Sequence, residues 1–180
     1  MSVLLKSIDV TLDEIDLAIK QIEDFQKQLE ECMAELAQHL VEYGQEVARI
    51  NLIEMDAVFS GELVENGIHG FYHKDQHCGA IYTDKWYAMY VEFGTGYVGE
   101  NNPDHPLHKT IGWKHDVHHH GAKGWWYPAP WGLWIPKYGP HKGEKMAWTQ
   151  GMPSRPFMYN TMRELEMIAE KNGIDFFRIK

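Results

Sequence analysis

The sequence predicts an α+β fold in which a long N-terminal helix and a shorter C-terminal helix pack on a small antiparallel β-sheet. Three observations carry that reading. Apolar residues recur at helical spacing from Thr11 to about Ile50. Residues 55–98 are rich in β-branched and aromatic side chains punctuated by Gly and Asn. Arg155-Pro156-Phe157 then opens a second run of helical spacing.

The first helix starts on a capping box, Thr11 with Glu14 three positions on. Its stripe has a seven-residue period, with Ile15, Ile22, Leu29, Leu36, Tyr43 and Ile50 in one register. Ile19, Met33, Leu40 and Val47 form the other, interrupted by Gln26. Such a stripe suits a coiled-coil seam, or a helix lying across its own sheet, and the second reading is preferred. A bend or break is expected at Gly44.

In 55–98, Asn66-Gly67 is a turn signal between short apolar runs. Ala80–Tyr82 and Trp86–Phe93 are two further strand candidates, the second ending in a glycine-bounded turn, Glu92-Phe93-Gly94-Thr95-Gly96. Residues 99–150 read as one extended irregular loop holding most of the prolines, histidines and tryptophans. A loop of that length in a compact domain has a job, and its tryptophans argue for an interface or lid rather than disorder. The last helix spans about 156–172, stopped by Asn172-Gly173, and the tail IDFFRIK is a candidate edge strand. The whole, 1–180, is read as a single domain.

Charge is unevenly placed. Asp9 to Glu65 holds fifteen acidic and three basic residues, and the rest of the chain is slightly basic within a net charge of −9. Sequence-specific nucleic-acid recognition needs a concentrated basic face, so it is not expected. The acidic stretch is first a solvated helix face, and it also suits subunits that dock an acidic surface on a basic one. Cys32 and Cys78 make no disulfide framework, and a reducing cytoplasm at synthesis is the default. MSVLLKSIDV is too briefly apolar for a signal peptide, and no stretch reaches the roughly 20 apolar residues a bilayer needs, so no membrane partner is expected.

Two segments carry a family resemblance. Tyr87-Ala88-Met89-Tyr90-Val91-Glu92-Phe93-Gly94-Thr95-Gly96 resembles the YA-x-x-VEFGTG motif, and Gly151-Met152-Pro153-Ser154-Arg155-Pro156-Phe157-Met158 the G-[MQ]-x-[AS]-RPF motif, of the gp-ten-like neck or tail-completion proteins of tailed bacteriophages. Ser60-Gly61-Glu62-Leu63 is a fainter likeness, lacking the Pro and Thr or Asp common before that glycine. The resemblance covers about 10–172, with 99–148 longer than in short members. It implies a structural virion protein at the head–tail junction, made in the host cytoplasm, that joins head to tail and lets DNA pass. Its partners would be further copies of itself in a six- or twelve-fold ring, head-completion proteins, and tail-tube or tail-terminator proteins. An acidic helix facing the channel would keep DNA from sticking.

The motif residues also have a reading of their own. The residue before a proline is held extended, so Arg155 projects from the joint, and Pro156 is suited to a helix start. An Arg155–Glu92 pair is expected to lock the helix start to the sheet. Tyr87, Phe93, Gly94, Thr95, Gly96 and Phe157 are scaffold residues of the same joint.

Rival chemistries are weaker on the residues. The run His105, His108, His115, His118, His119 and His120, with Asp104 and Asp116, has the density of a metal site but neither HExxH nor CxxC spacing. No metal or other cofactor is expected. If an ion binds, His115, His118 and His120 are the candidate ligands. Glu92 with Glu100, or Asp104 with His108, could be cast as acid–base pairs, but no nucleophile elbow or phosphate loop accompanies them, and no enzymatic activity is expected. Trp125, Trp126, Trp131 and Trp134 suit a subunit contact, or as the alternative a tail-associated carbohydrate-binding surface.

Overall fold

A computed structural model describes residues 11–176 except Phe59, His77, Pro103 and Asp104. Helix α1 runs Leu12–Glu54 from the expected capping box: Thr11 Oγ1 accepts from the Glu14 amide, and Glu14 Oε2 accepts from the Thr11 amide at 2.8 Å. A short helix, α2 (Glu62–Asn66), leads into a hairpin of β1 (Ile68–His73) and β2 (Cys78–Thr83), paired from Ile68–Thr83 to His73–Cys78. Three short helices follow: α3 (Ala88–Phe93), α4 (Gly96–Asn101) and α5 (His108–Ile111). A second hairpin, β3 (Trp125–Pro128) with β4 (Met146–Thr149), precedes α6 (Phe157–Phe176). The fold is α+β as the sequence predicts, with two separate two-stranded antiparallel sheets rather than one.

The core gathers Ala48 and Leu52 of α1, Leu63 of α2, Ile68 of β1, Ala88 and Val91 of α3, and Phe157 of α6. Phe157 and Leu52 are fully enclosed. Helix α6 runs antiparallel to α1, since Thr161 accepts from Asn51 while Glu164 accepts from Tyr43. Arg49 fixes the hairpin to α1 by donating to the carbonyls of Val64 and Ile68.

Several expectations change. Gly44 neither bends nor ends α1, which continues ten residues further. A Cβ there would collide with Ile81 and come within 2.8 Å of Leu165, so the glycine is where β2 and α6 close on the helix. Trp86–Phe93 is not a strand. Of its buried residues Ala88, Val91, Glu92 and Phe93, the first three fall three and four apart, so tertiary contact overrides the β-rich composition. Asn66-Gly67 is not the hairpin turn, because the Gly67 amide closes α2 on the Leu63 carbonyl and the hairpin turns at Lys74–Gln76. Ala80–Tyr82 does lie in a strand. Helix α6 continues through Asn172-Gly173, an interior glycine costing only about 1 kcal/mol, so Ile174–Phe176 of the proposed edge strand is helical and 177–180 lies outside the described residues.

The seven-residue stripe of α1 meets the body only in part. Val47 is buried, but Tyr43 and Ile50 are 47% and 51% exposed. The buried residues are Val41, Gly44, Val47, Ala48 and Leu52, a face that follows the 3.6-residue period. A strict heptad drifts about 20° per repeat on a straight helix, or roughly 100° from Ile15 to Ile50, so it cannot stay on one flat neighbour.

Candidate functional site

The two motif segments meet, and Glu92 is the centre of the meeting. α3 delivers its carboxylate to the N-terminus of α6, leaving the residue 6% exposed. Oε2 accepts from the Met158 amide at 2.9 Å and Oε1 from the Tyr159 amide at 3.0 Å. These are N–H groups of the first turn, which have no partner inside the helix, so a residue from a distant helix acts as the cap and its charge opposes the helix dipole. Oε1 also lies 2.8 Å from His105 Nε2. Because His105 Nδ1 accepts from the Leu107 amide, the proton of a neutral ring sits on Nε2 and is donated to Glu92. His105 is buried beside Phe93, with ring centroids 4.2 Å apart, and Tyr159 closes the other side.

Backbone pairing joins the segments along their length. Thr95 and Met152 exchange amide–carbonyl bonds of 2.9 and 3.0 Å. The Arg155 amide donates to the Val91 carbonyl, and Ser154 Oγ donates to the Glu92 carbonyl at 2.7 Å. Gly94, at φ +75°, lies where a Cβ would sit 2.6 Å from the Ser154 nitrogen. Trp113 Nε1 donates to the Gly94 carbonyl and its ring stacks on Phe93. Gly96 donates to the His115 carbonyl and lies against Trp125. Tyr87 packs on the core, and burial raises its phenol above the ordinary value. The Pro156 carbonyl accepts the first helical bond of α6, from the Asn160 amide, and Phe157 enters the core.

The expected Arg155–Glu92 pair is not formed. Arg155 Nε donates instead to the Met55 carbonyl at 3.1 Å, tying the joint to the end of α1, and the carboxylate is held by the two amides and His105. Helix N–H groups are fixed donors already facing Glu92, whereas the guanidinium is engaged by the Met55 carbonyl. His105 and Ser154 are the residues sequence reasoning missed as partners. Nothing in their spacing signals a contact 13 and 62 residues away.

The described part of the histidine segment is spread out. Among the described residues no group of three or more His, Cys, Asp and Glu side chains converges. His118 and His120 lie with ring centroids 5.7 Å apart, but His115 pairs instead with His108, 6.2 Å away. His120 Nδ1 is 3.0 Å from Asp116 Oδ1 and its ring stacks on Trp125. The Gly121 amide, 2.7 Å from Asp116 Oδ2, is the main reason that carboxyl is lowered to about 2, with His120 adding to it. Of the acid–base pairs considered, Glu92 is committed to structure and Asp104 lies outside the described residues.

The region 99–150 is more ordered than a loop, and its hairpin presents an aromatic surface. Trp126 and Trp148 are directly paired across β3 and β4, and Trp134 lies 4.9 Å from Trp126 between ring centroids. All three, with Trp131, are about half exposed; Leu133 and Tyr138 in the connection are almost wholly so. Trp125 alone of the four expected tryptophans is turned inward, onto His120. Trp148, which sequence reasoning passed over, completes the patch. Among the described residues no helix is long and apolar enough to cross a membrane. Comparison of the chain with family models, with curated proteins and with solved structures finds no match.

Proposed function

We propose that this protein is a non-enzymatic structural subunit of the head–tail junction of a tailed bacteriophage, working as one copy in a ring that joins head to tail and lets DNA through. The observation that carries the reading is the closure of the two motif segments on each other. Val91, Glu92 and Thr95 are bonded to Met152, Ser154, Arg155 and the first turn of α6, so the polar groups of both motifs hold backbone instead of facing a cleft. Such a joint fixes the relative position of two helices under load, which assembly requires and catalysis does not.

The half-exposed tryptophans supply the second support. Trp126, Trp134 and Trp148 form an apolar patch of the composition that anchors protein contacts, and Trp131, also half exposed, packs on Tyr127. Neighbouring copies and the adjoining head-completion and tail proteins are the partners this patch suits. The same surface favours one alternative, a tail-associated carbohydrate-binding protein, because exposed indole faces also stack on sugars.

Inactivating the gene in the parent phage and imaging the lysate tests the reading. Separate filled heads and separate tails are the expected outcome. Complete virions that fail at infection would refute the joining role and favour the sugar-binding one.

A further inference from the structure

The N-terminal half of α1 leaves most of an apolar stripe open to water, with Leu29 and Leu36 partly covered. Among the described residues, the helix is buried only from Val41 onward. Before that, Leu12 is 79% exposed and Ile22 66%, with Ile15, Ile19, Phe25 and Met33 also open to water. Unsupported, such a stretch is marginal as a helix.

The pattern of the stripe identifies what covers it. From 12 to 36 it keeps a 3.5-residue repeat: Leu12, Ile19, Gln26 and Met33 at positions a, with Ile15, Ile22, Leu29 and Leu36 at positions d. A flat neighbour is followed by 3.6 spacing, as the body-facing residues of the same helix show. A 3.5 repeat stays in contact only with another helix that supercoils with it. The flanks then choose the partner. Positions e carry Asp16, Glu23 and Glu30, while positions g carry Ala18, Phe25 and Cys32. In a parallel pair of identical helices each acidic e faces a neutral g, whereas an antiparallel pair would set acidic flank against acidic flank. Gln26, the one polar residue on the seam, favours alignment of like positions.

We infer that residues 12–36 form a parallel, in-register coiled coil with the same segment of a second copy, about 37 Å long at 1.5 Å per residue. Rotation about an axis along the bundle generates such parallel helices, and the inference does not rest on the phage assignment. Isoleucine at d, a and d in succession, Ile15, Ile19 and Ile22, favours more than two strands, and like d positions remain neighbours whatever the number.

The test is disulfide trapping in the full chain with Cys32→Ser and Cys78→Ser. Ile15→Cys and Leu29→Cys sit at d, and Asp24→Cys faces outward as the control. In-register d positions lie within disulfide reach, so each d variant alone is expected to crosslink at least about tenfold faster than the control. Crosslinking no faster than the control, or only when the two d variants are mixed, overturns the inference. Ile22→Asp, remote from the core, is expected to give a monomer by sedimentation with an unchanged near-ultraviolet spectrum. An association state equal to that of the parent chain would also overturn it. Both readings use purified protein, so they stand or fall separately from head–tail joining in the phage.

Discussion

Replacing Glu92 by glutamine tests the central joint, and the structure sets the size of the effect. The carboxylate receives three donors: the amides of Met158 and Tyr159 and Nε2–H of His105. Glutamine offers one carbonyl oxygen and one NH2 group. With its oxygen in the place of Oε1 it keeps Tyr159 and His105 but turns NH2 against the Met158 amide. With its oxygen in the place of Oε2 it keeps Met158 and turns NH2 against both other donors. His105 cannot relieve the conflict by moving its proton, because Nδ1 is needed by the Leu107 amide. The better arrangement still orphans one buried donor, weakens two charge-assisted bonds and removes the charge at the helix N-terminus. Together these are worth about 3 kcal/mol. For a chain of this size that corresponds to a fall in Tm of roughly 6–12 °C. Glu92→Asp retains the charge one methylene short of the amides and is expected to fall as well. Urea unfolding followed by tryptophan fluorescence gives the free energy directly. A loss under about 0.5 kcal/mol for Glu92→Gln would refute the claim that this carboxylate caps α6.

Three further outcomes follow from the same geometry. Gly94→Ala places a Cβ 2.6 Å from the Ser154 nitrogen at a backbone angle only glycine adopts readily, and is expected to cost on the order of 4 kcal/mol in chemical denaturation. Asp116, with its folded value of about 2 below the ordinary 3.8, stabilises the Asp116–Gly121 turn fully above about pH 4 and loses that contribution as pH falls through 2. The Gly121 amide shift, followed by NMR, is expected to titrate near 2, and a midpoint near 3.8 would contradict the contact. The double variant Trp126→Ala and Trp148→Ala is expected to keep Tm within about 4 °C, since both rings are half exposed, yet to abolish assembly in complementation.

Local signals were legible and distant pairings were not. The capping box at Thr11 and Glu14 and the start of α6 at Arg155-Pro156-Phe157 each depend on residues within one helical turn, and each is found where expected, whereas α1 runs past Gly44 to Glu54. Trp86–Phe93 misled because its aromatic and β-branched content suits a strand, while its helical burial is imposed by Phe157 and Leu52 from elsewhere in the chain. Glu92 was legible as a locking residue but not its partners, since a backbone amide 66 residues away leaves no mark in composition. The aromatic load of 99–150 signalled a surface, and the pairing of Trp126 with Trp148 needed the hairpin register.

The same separation explains how the molecule divides its labour. The joint around Glu92 encloses its polar groups, and the core around Phe157 encloses its apolar ones. Of the apolar side chains left open to water, two groups lie far apart in sequence, most of the α1 seam from Leu12 to Met33 and the tryptophan hairpin at 125–149. A monomer with no partners gains nothing from either exposure, because each apolar side chain left in water forgoes roughly 1.5–3 kcal/mol of burial. A subunit with a like neighbour on one surface and an unlike neighbour on the other would use both.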